Sequence, residues 1–82
     1  MTKQELLLTP IWNYKQVMAY TGWKKSKAYE VMKICKEKFG GAVRFNDHAV
    51  KRDSVLAYMG SDVEREAYII KTLGDKDYEK NR

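Results

Sequence analysis

The residues able to do chemistry crowd into one stretch of the chain: Lys24, Lys25, Ser26, Tyr29, Lys33 and Lys36. If this stretch is helical, about 100° of rotation per residue places Lys25, Lys36, Tyr29, Lys33 and Ser26 between roughly 60° and 160° from Ala28. One flank then carries ammonium groups, a hydroxyl and a phenol. Such a set neutralises phosphates and hydrogen-bonds to base edges, and a helix of this kind fits the major groove of duplex DNA. Lys25, Ser26 and Tyr29 stand where base edges would be reached, Lys33 and Lys36 where phosphates would be, and Lys24 joins them as a DNA-binding residue. Lys27, Ile34 and Lys38 fall on the opposite flank, and Glu30 and Glu37 point away from the core. The plainer reading is a solvated surface on which the lysines pair with those two glutamates.

A second cationic group follows at Arg44, His48, Lys51 and Arg52. Two short segments, Ala42 to Phe45 and Ala49 to Arg52, flank Asn46-Asp47-His48, whose residue types suit a tight turn. A two-stranded hairpin is expected. Alternation along Val43-Arg44-Phe45 buries Val43 and Phe45 and turns Arg44 outward, where an arginine suits a minor groove or a phosphate.

Other chemistry finds no residues to carry it. His48 is the only histidine, and it is far in sequence from the single cysteine, Cys35, so neither a zinc set nor a Cys/His pair is expected. Gly40-Gly41 runs into Ala42-Val43 rather than the Lys-Ser/Thr of a phosphate-binding loop. Asp47, Asp53 and Asp62 each have a turn or capping role. The expectation is a protein without enzymatic activity, metal or cofactor.

Several elements must position these groups. Asn13 and Gln16 form a capping box that starts a short helix near Tyr14, with Val17 and Met18 inward, and Thr21-Gly22 closes it. After Trp23, a core residue, Ala28, Val31, Met32, Cys35 and Phe39 form the apolar stripe of a second helix from Lys25 to Phe39, stopped by Gly40-Gly41. A third helix through Val55, Leu56, Tyr58 and Met59 ends at Gly60. Ser61 with Glu64 then opens a fourth, whose stripe is Val63, Ala67, Ile70 and Leu73. The division is an arm over 1–10, a main unit over 11–60, a closing helix over 61–74 that packs on it or makes an oligomer, and a charged tail over 75–82, disordered or fraying.

With 82 residues and 44% hydrophobic side chains, the chain suffices for one small core. Its net charge of +5 is unevenly placed: residues 1–60 carry eleven Lys or Arg against five Asp or Glu, and residues 61–82 carry five against six. Basic charge concentrated in this way favours a polyanion, either nucleic acid or an anionic membrane surface. One cysteine, no membrane-spanning apolar run and no signal-peptide pattern point to a cytoplasmic protein.

The segment Tyr14-Lys15-Gln16-Val17-Met18-Ala19-Tyr20-Thr21-Gly22-Trp23, followed by Lys25-Ser26-Lys27-Ala28-Tyr29, resembles the first helix, turn and recognition-helix start of the excisionase-like winged helix-turn-helix domains of phages and mobile elements. Val43-Arg44-Phe45 through Val50-Lys51-Arg52 and Asp53-Ser54-Val55-Leu56-Ala57-Tyr58-Met59 are similar to that family's wing and closing helix. The likeness spans Ile11 to Met59, and MerR-type regulators share the fold. It implies a mainly α fold with a small two-stranded β wing that binds double-stranded DNA and bends or marks a recombination or promoter site. An integrase or a second copy of the chain is the further partner it suggests. The alternative is a module that binds and modulates a host or phage protein through Ile34, Ile69 and the closing helix.

Overall fold

Thr2 and Glu5 start the fold. In the computed structural model, which describes residues 2–74, the Thr2 hydroxyl accepts from Glu5 N–H at 3.1 Å while the Glu5 carboxylate accepts from Thr2 N–H at 2.8 Å. These bonds satisfy donors that a helix terminus otherwise leaves open. They also hold the Glu5 carboxyl below its usual range, the Thr2 N–H being the larger cause. The residues expected to be an arm therefore contain a helix, α1 (Lys3–Leu8), and its Leu6 and Leu7 are buried.

Strand β1 (Ile11–Asn13) follows, then α2 (Tyr14–Thr21), α3 (Lys25–Lys38), β2 (Ala42–Val43), β3 (Asn46–Lys51), α4 (Arg52–Tyr58), α5 (Val63–Ile69) and a π-helical turn over Ile70–Gly74. The fold is mainly helical. Its small sheet has three antiparallel strands in the order β1-β3-β2, not the two of the expected hairpin. Residues 75–82, read as a charged tail, lie outside the described residues.

The capping box that starts α2 forms as expected, with Asn13 and Gln16 exchanging bonds of 2.9 and 3.0 Å. Gly22, at φ 83°, closes the helix in the left-handed conformation that glycine adopts without a Cβ clash. Ala28, Val31, Met32 and Cys35 form the buried stripe of α3, whereas Phe39 caps the helix and stays partly exposed. Trp23 is half-buried, set edge-on to Tyr58 with the ring centroids 6.0 Å apart. At α5 the cap differs from expectation. Asp62 accepts from Arg65 N–H at 2.8 Å, leaving Ser61 to donate to Glu66 at 2.7 Å. Glu66 also accepts from the Tyr20 hydroxyl at 2.6 Å, so the closing helix is tied to α2. Burial, then this bond and its charge, push the Tyr20 phenol well above its ordinary pKa. With Ile70 buried in the core, the closing helix packs on the main unit.

Trp12 centres the core. Its ring is fully buried, lies 4.9 Å from Tyr20, and donates Nε1–H to the Leu6 carbonyl at 2.8 Å. Because Trp12 pairs with Val50 in the sheet, one residue joins α1, α2 and β3.

The chain passes from α3 to the sheet at Gly41, whose N–H donates to Cys35 and whose carbonyl accepts from Lys51, both at 2.9 Å. A methyl group there would collide with the Ser54 hydroxyl and lie 2.7 Å from the Ser54 Cβ. Ser54 cannot readily yield, being buried and donating to the Lys51 carbonyl at 2.6 Å. Gly41→Ala is therefore expected to cost about 2–3 kcal/mol by overpacking, read from urea denaturation. A loss below about 1 kcal/mol, the range of tolerated swaps, would mean that this junction repacks.

Candidate nucleic-acid interface

Helix α3 presents its predicted flank to solvent: Lys24, Lys25, Ser26, Tyr29 and Lys33 are all exposed. Lys24 occupies the N-cap position without a side-chain cap bond, so first-turn N–H groups stay open beside two ammonium groups. The Lys25 ammonium lies 5.3 Å from the Tyr14 ring centroid and 5.9 Å from that of Tyr29. Those two rings stack with centroids 5.0 Å apart and planes 25° from parallel. A cation near an exposed ring such as Tyr29 contributes about 0.5–1 kcal/mol, enough to bias where the lysine sits. Tyr14 is the residue that the sequence did not single out. Its place depends on how α2 packs against α3, which no local pattern encodes.

Lys36 lies farther along the same flank, about 16 Å from Lys25 at the helical rise per residue. It is half-buried, and its ammonium donates to the Asp47 carbonyl on β3. That bond joins the helical flank to the hairpin. An ammonium carries three donors, so Lys36 keeps capacity for an anion beyond it.

The hairpin turns earlier than expected. Its tip is Arg44-Phe45, between the paired residues Val43 and Asn46, and Asn46 to His48 belong to β3. Asn46 uses its side chain to accept from His48 N–H at 3.1 Å, an Asx turn that lies at the start of β3 and not at the reversal of the hairpin. The register slips between Ala42 and Val43, so Val43 faces Asn46 while Ala42 faces Val50, which on its other side pairs with Trp12. Val43 is half-buried, but Phe45, expected inside, is 94% exposed with φ 65°. A left-handed conformation costs a residue with a Cβ about 1–2 kcal/mol. The Arg44 guanidinium sits over the Phe45 ring, 5.0 Å from its centroid.

The remaining cations divide by role. His48 and Lys51 are exposed. Arg52 donates to the Leu7 carbonyl at the end of α1 and pairs with Asp53 at 3.0 Å, leaving its side chain 16% exposed. Its guanidinium belongs to the fold, clamping α4 to α1. On the far flank of α3, Lys27 lies between the Trp23 and Tyr58 rings, at 5.8 and 5.9 Å from their centroids.

Among the described residues Arg52–Asp53 is the one ion pair within 4 Å, so the α3 lysines are not neutralised by Glu30 or Glu37. Cys35 is buried with its thiol against the Ser54 carbonyl at 3.5 Å, and burial pushes its pKa up, away from a reactive thiolate. Ile34 and Ile69 are both only half-buried. No helix among the described residues is long and apolar enough to cross a membrane. Compared with family models, curated proteins and solved structures, the chain matches none.

Proposed function

We propose that this chain binds double-stranded DNA as a winged helix-turn-helix domain, acting by binding rather than catalysis. The Lys36–Asp47 bond is the observation that carries this reading. It brings two cationic elements, the α3 flank and the hairpin, into one surface whose lysines lack carboxylate partners among the described residues. In this reading α2, the connection through Gly22 and α3 form the helix-turn-helix, and the sheet supplies the wing. Lys25, Ser26 and Tyr29 approach base edges from the first turns of α3, as helix-turn-helix proteins commonly do. Lys33 and Lys36 neutralise phosphates, and Arg44, His48 and Lys51 extend the contact. Arg52 takes no direct part.

A cytoplasmic accessory factor of a phage or mobile element, of excisionase or small-regulator type, is the role that accords with the sequence resemblance. An integrase or a second copy is the partner consistent with it.

Fluorescence anisotropy on random duplexes at low salt tests the proposal. Five or six phosphate contacts predict a log K against log salt slope of roughly −4.5 to −5.5. Lys33→Ala is expected to weaken binding alike on all sequences and flatten the slope by about 1, whereas Tyr29→Ala also changes preference between sites. A flat salt plot sinks the proposal. Leu8 and Tyr68, 74% and 68% exposed on the mutually packed α1 and α5, favour the second reading, a protein-binding module. A stable protein complex without salt-dependent DNA binding would establish that reading instead.

A further inference from the structure

Phe45 has no role in the fold that explains it. The ring is almost wholly solvent-exposed, and its backbone holds a conformation suited to glycine or asparagine. Neither hydrophobic burial nor turn chemistry accounts for a phenylalanine here, and strained exposed residues of this kind gather where a ligand uses them. We propose that Phe45 is a wedge that enters the minor groove and stacks between two base pairs, opening the step and bending the duplex. This rests on the DNA-binding reading and assigns a function to the hairpin tip that charge alone would not.

The dimensions fit. Two antiparallel strands stand about 4.8 Å apart and the minor groove is about 6 Å wide, so a two-residue tip can lead with one side chain. Arg44 adds the chemistry. Its guanidinium lies over the ring, where it would remain at the groove edge, near phosphates and base acceptors, as the ring slides inward. His48 and Lys51 on β3 are exposed nearby in the chain, and the Lys36 ammonium reaches the same strand. Asp47 is the one acidic residue of the hairpin, and its carbonyl rather than its carboxylate takes that ammonium. An apolar protein pocket would be a poorer host, because burying the ring there would strip water from the guanidinium stacked on it. A lone ring at the tip, with Val43 half-buried, also falls short of the area a stable protein interface needs.

The test uses a duplex of about 40 base pairs with a fluorophore at each end and 2-aminopurine beside a central TA step, the kind most easily kinked. Wild-type protein is expected to raise both energy transfer and 2-aminopurine emission. Phe45→Gly should abolish both changes and lower affinity about five- to tenfold, while the salt slope stays within about half a unit, since no cation is lost. Its own stability should rise, because glycine relieves the turn. Phe45→Leu, which keeps an apolar wedge, should retain part of the bend.

Other outcomes are decisive in the opposite direction. Salt-dependent binding by wild type with no bend and no unstacking overturns the wedge and leaves the DNA reading intact. Absence of salt-dependent binding by the wild-type protein overturns both. If Phe45→Gly leaves bending unchanged but abolishes self-association seen by light scattering, the ring is a protein contact and the wedge is wrong.

Discussion

Replacing Trp12 with alanine is expected to remove about 3–5 kcal/mol of stability, much of what a domain of this length holds in total. Trp12 sits where α1, α2 and the sheet meet. Its indole packs on Tyr20 of α2, its backbone pairs with Val50 of β3, and its N–H reaches the Leu6 carbonyl at the end of α1. Trp12→Phe separates packing from the hydrogen bond. Phenylalanine keeps most of the apolar surface but no donor, and the Leu6 carbonyl still accepts from Thr9 N–H at 3.0 Å. The loss should then be about 1–2 kcal/mol, since the carbonyl is not left wholly unpaired. Urea denaturation followed by the remaining Trp23 fluorescence measures both. Should the alanine variant lose under 2 kcal/mol, Trp12 is not what binds α1 and the sheet to the helices.

The same residue explains why part of the fold was hidden in the sequence. Helix periodicity needs several turns to emerge, so α3, with Ala28, Val31, Met32 and Cys35 inward, was legible. Strand β1 has three residues, and its existence depends on β3 offering Ala49 to Lys51 from across the molecule. Helix α1 has six residues and shows too little periodicity, yet Thr2 and Glu5 spell a capping box just ahead of Leu6-Leu7. That box is the one local sign of the helix in the sequence, since six residues are too few for an apolar period to emerge. The hairpin departs from its local sequence pattern for a different reason. Asn46-Asp47-His48 has the composition of a turn, and Ala42 opposite Val50 would by itself centre the reversal on Asn46, but the register slips between Ala42 and Val43, so Val43 faces Asn46 and the reversal moves back to Arg44-Phe45. That slip overrides the local turn preference and turns Phe45 from an expected core residue into the most exposed large hydrophobic group described. Of the basic residues, those on the α3 flank could be grouped by angle alone. Arg52 could not be set apart, because its partner Leu7 is distant in sequence.

Charge reversal on the two elements carries the largest expected effect on binding. At 0.1 M salt each phosphate contact is worth roughly tenfold through counterion release, so Lys33→Glu and Arg44→Glu should each weaken duplex binding by about that factor. Together they should reach about 100-fold and flatten the salt slope by roughly 2, provided that helix and hairpin hold one duplex at the same time. Lys38→Glu provides the control. It changes net charge by the same amount from the opposite flank of α3, where the Debye length of about 10 Å screens it from the proposed contact. Its effect should stay below about threefold. Equal losses from Lys38→Glu and Lys33→Glu would reduce the surface to diffuse positive charge and remove the flank from the mechanism. A double variant no weaker than the worse single one would mean that the two elements engage DNA in alternation. The Lys36–Asp47 bond predicts otherwise, because a helix flank tied to the hairpin presents both cations to a ligand in one geometry.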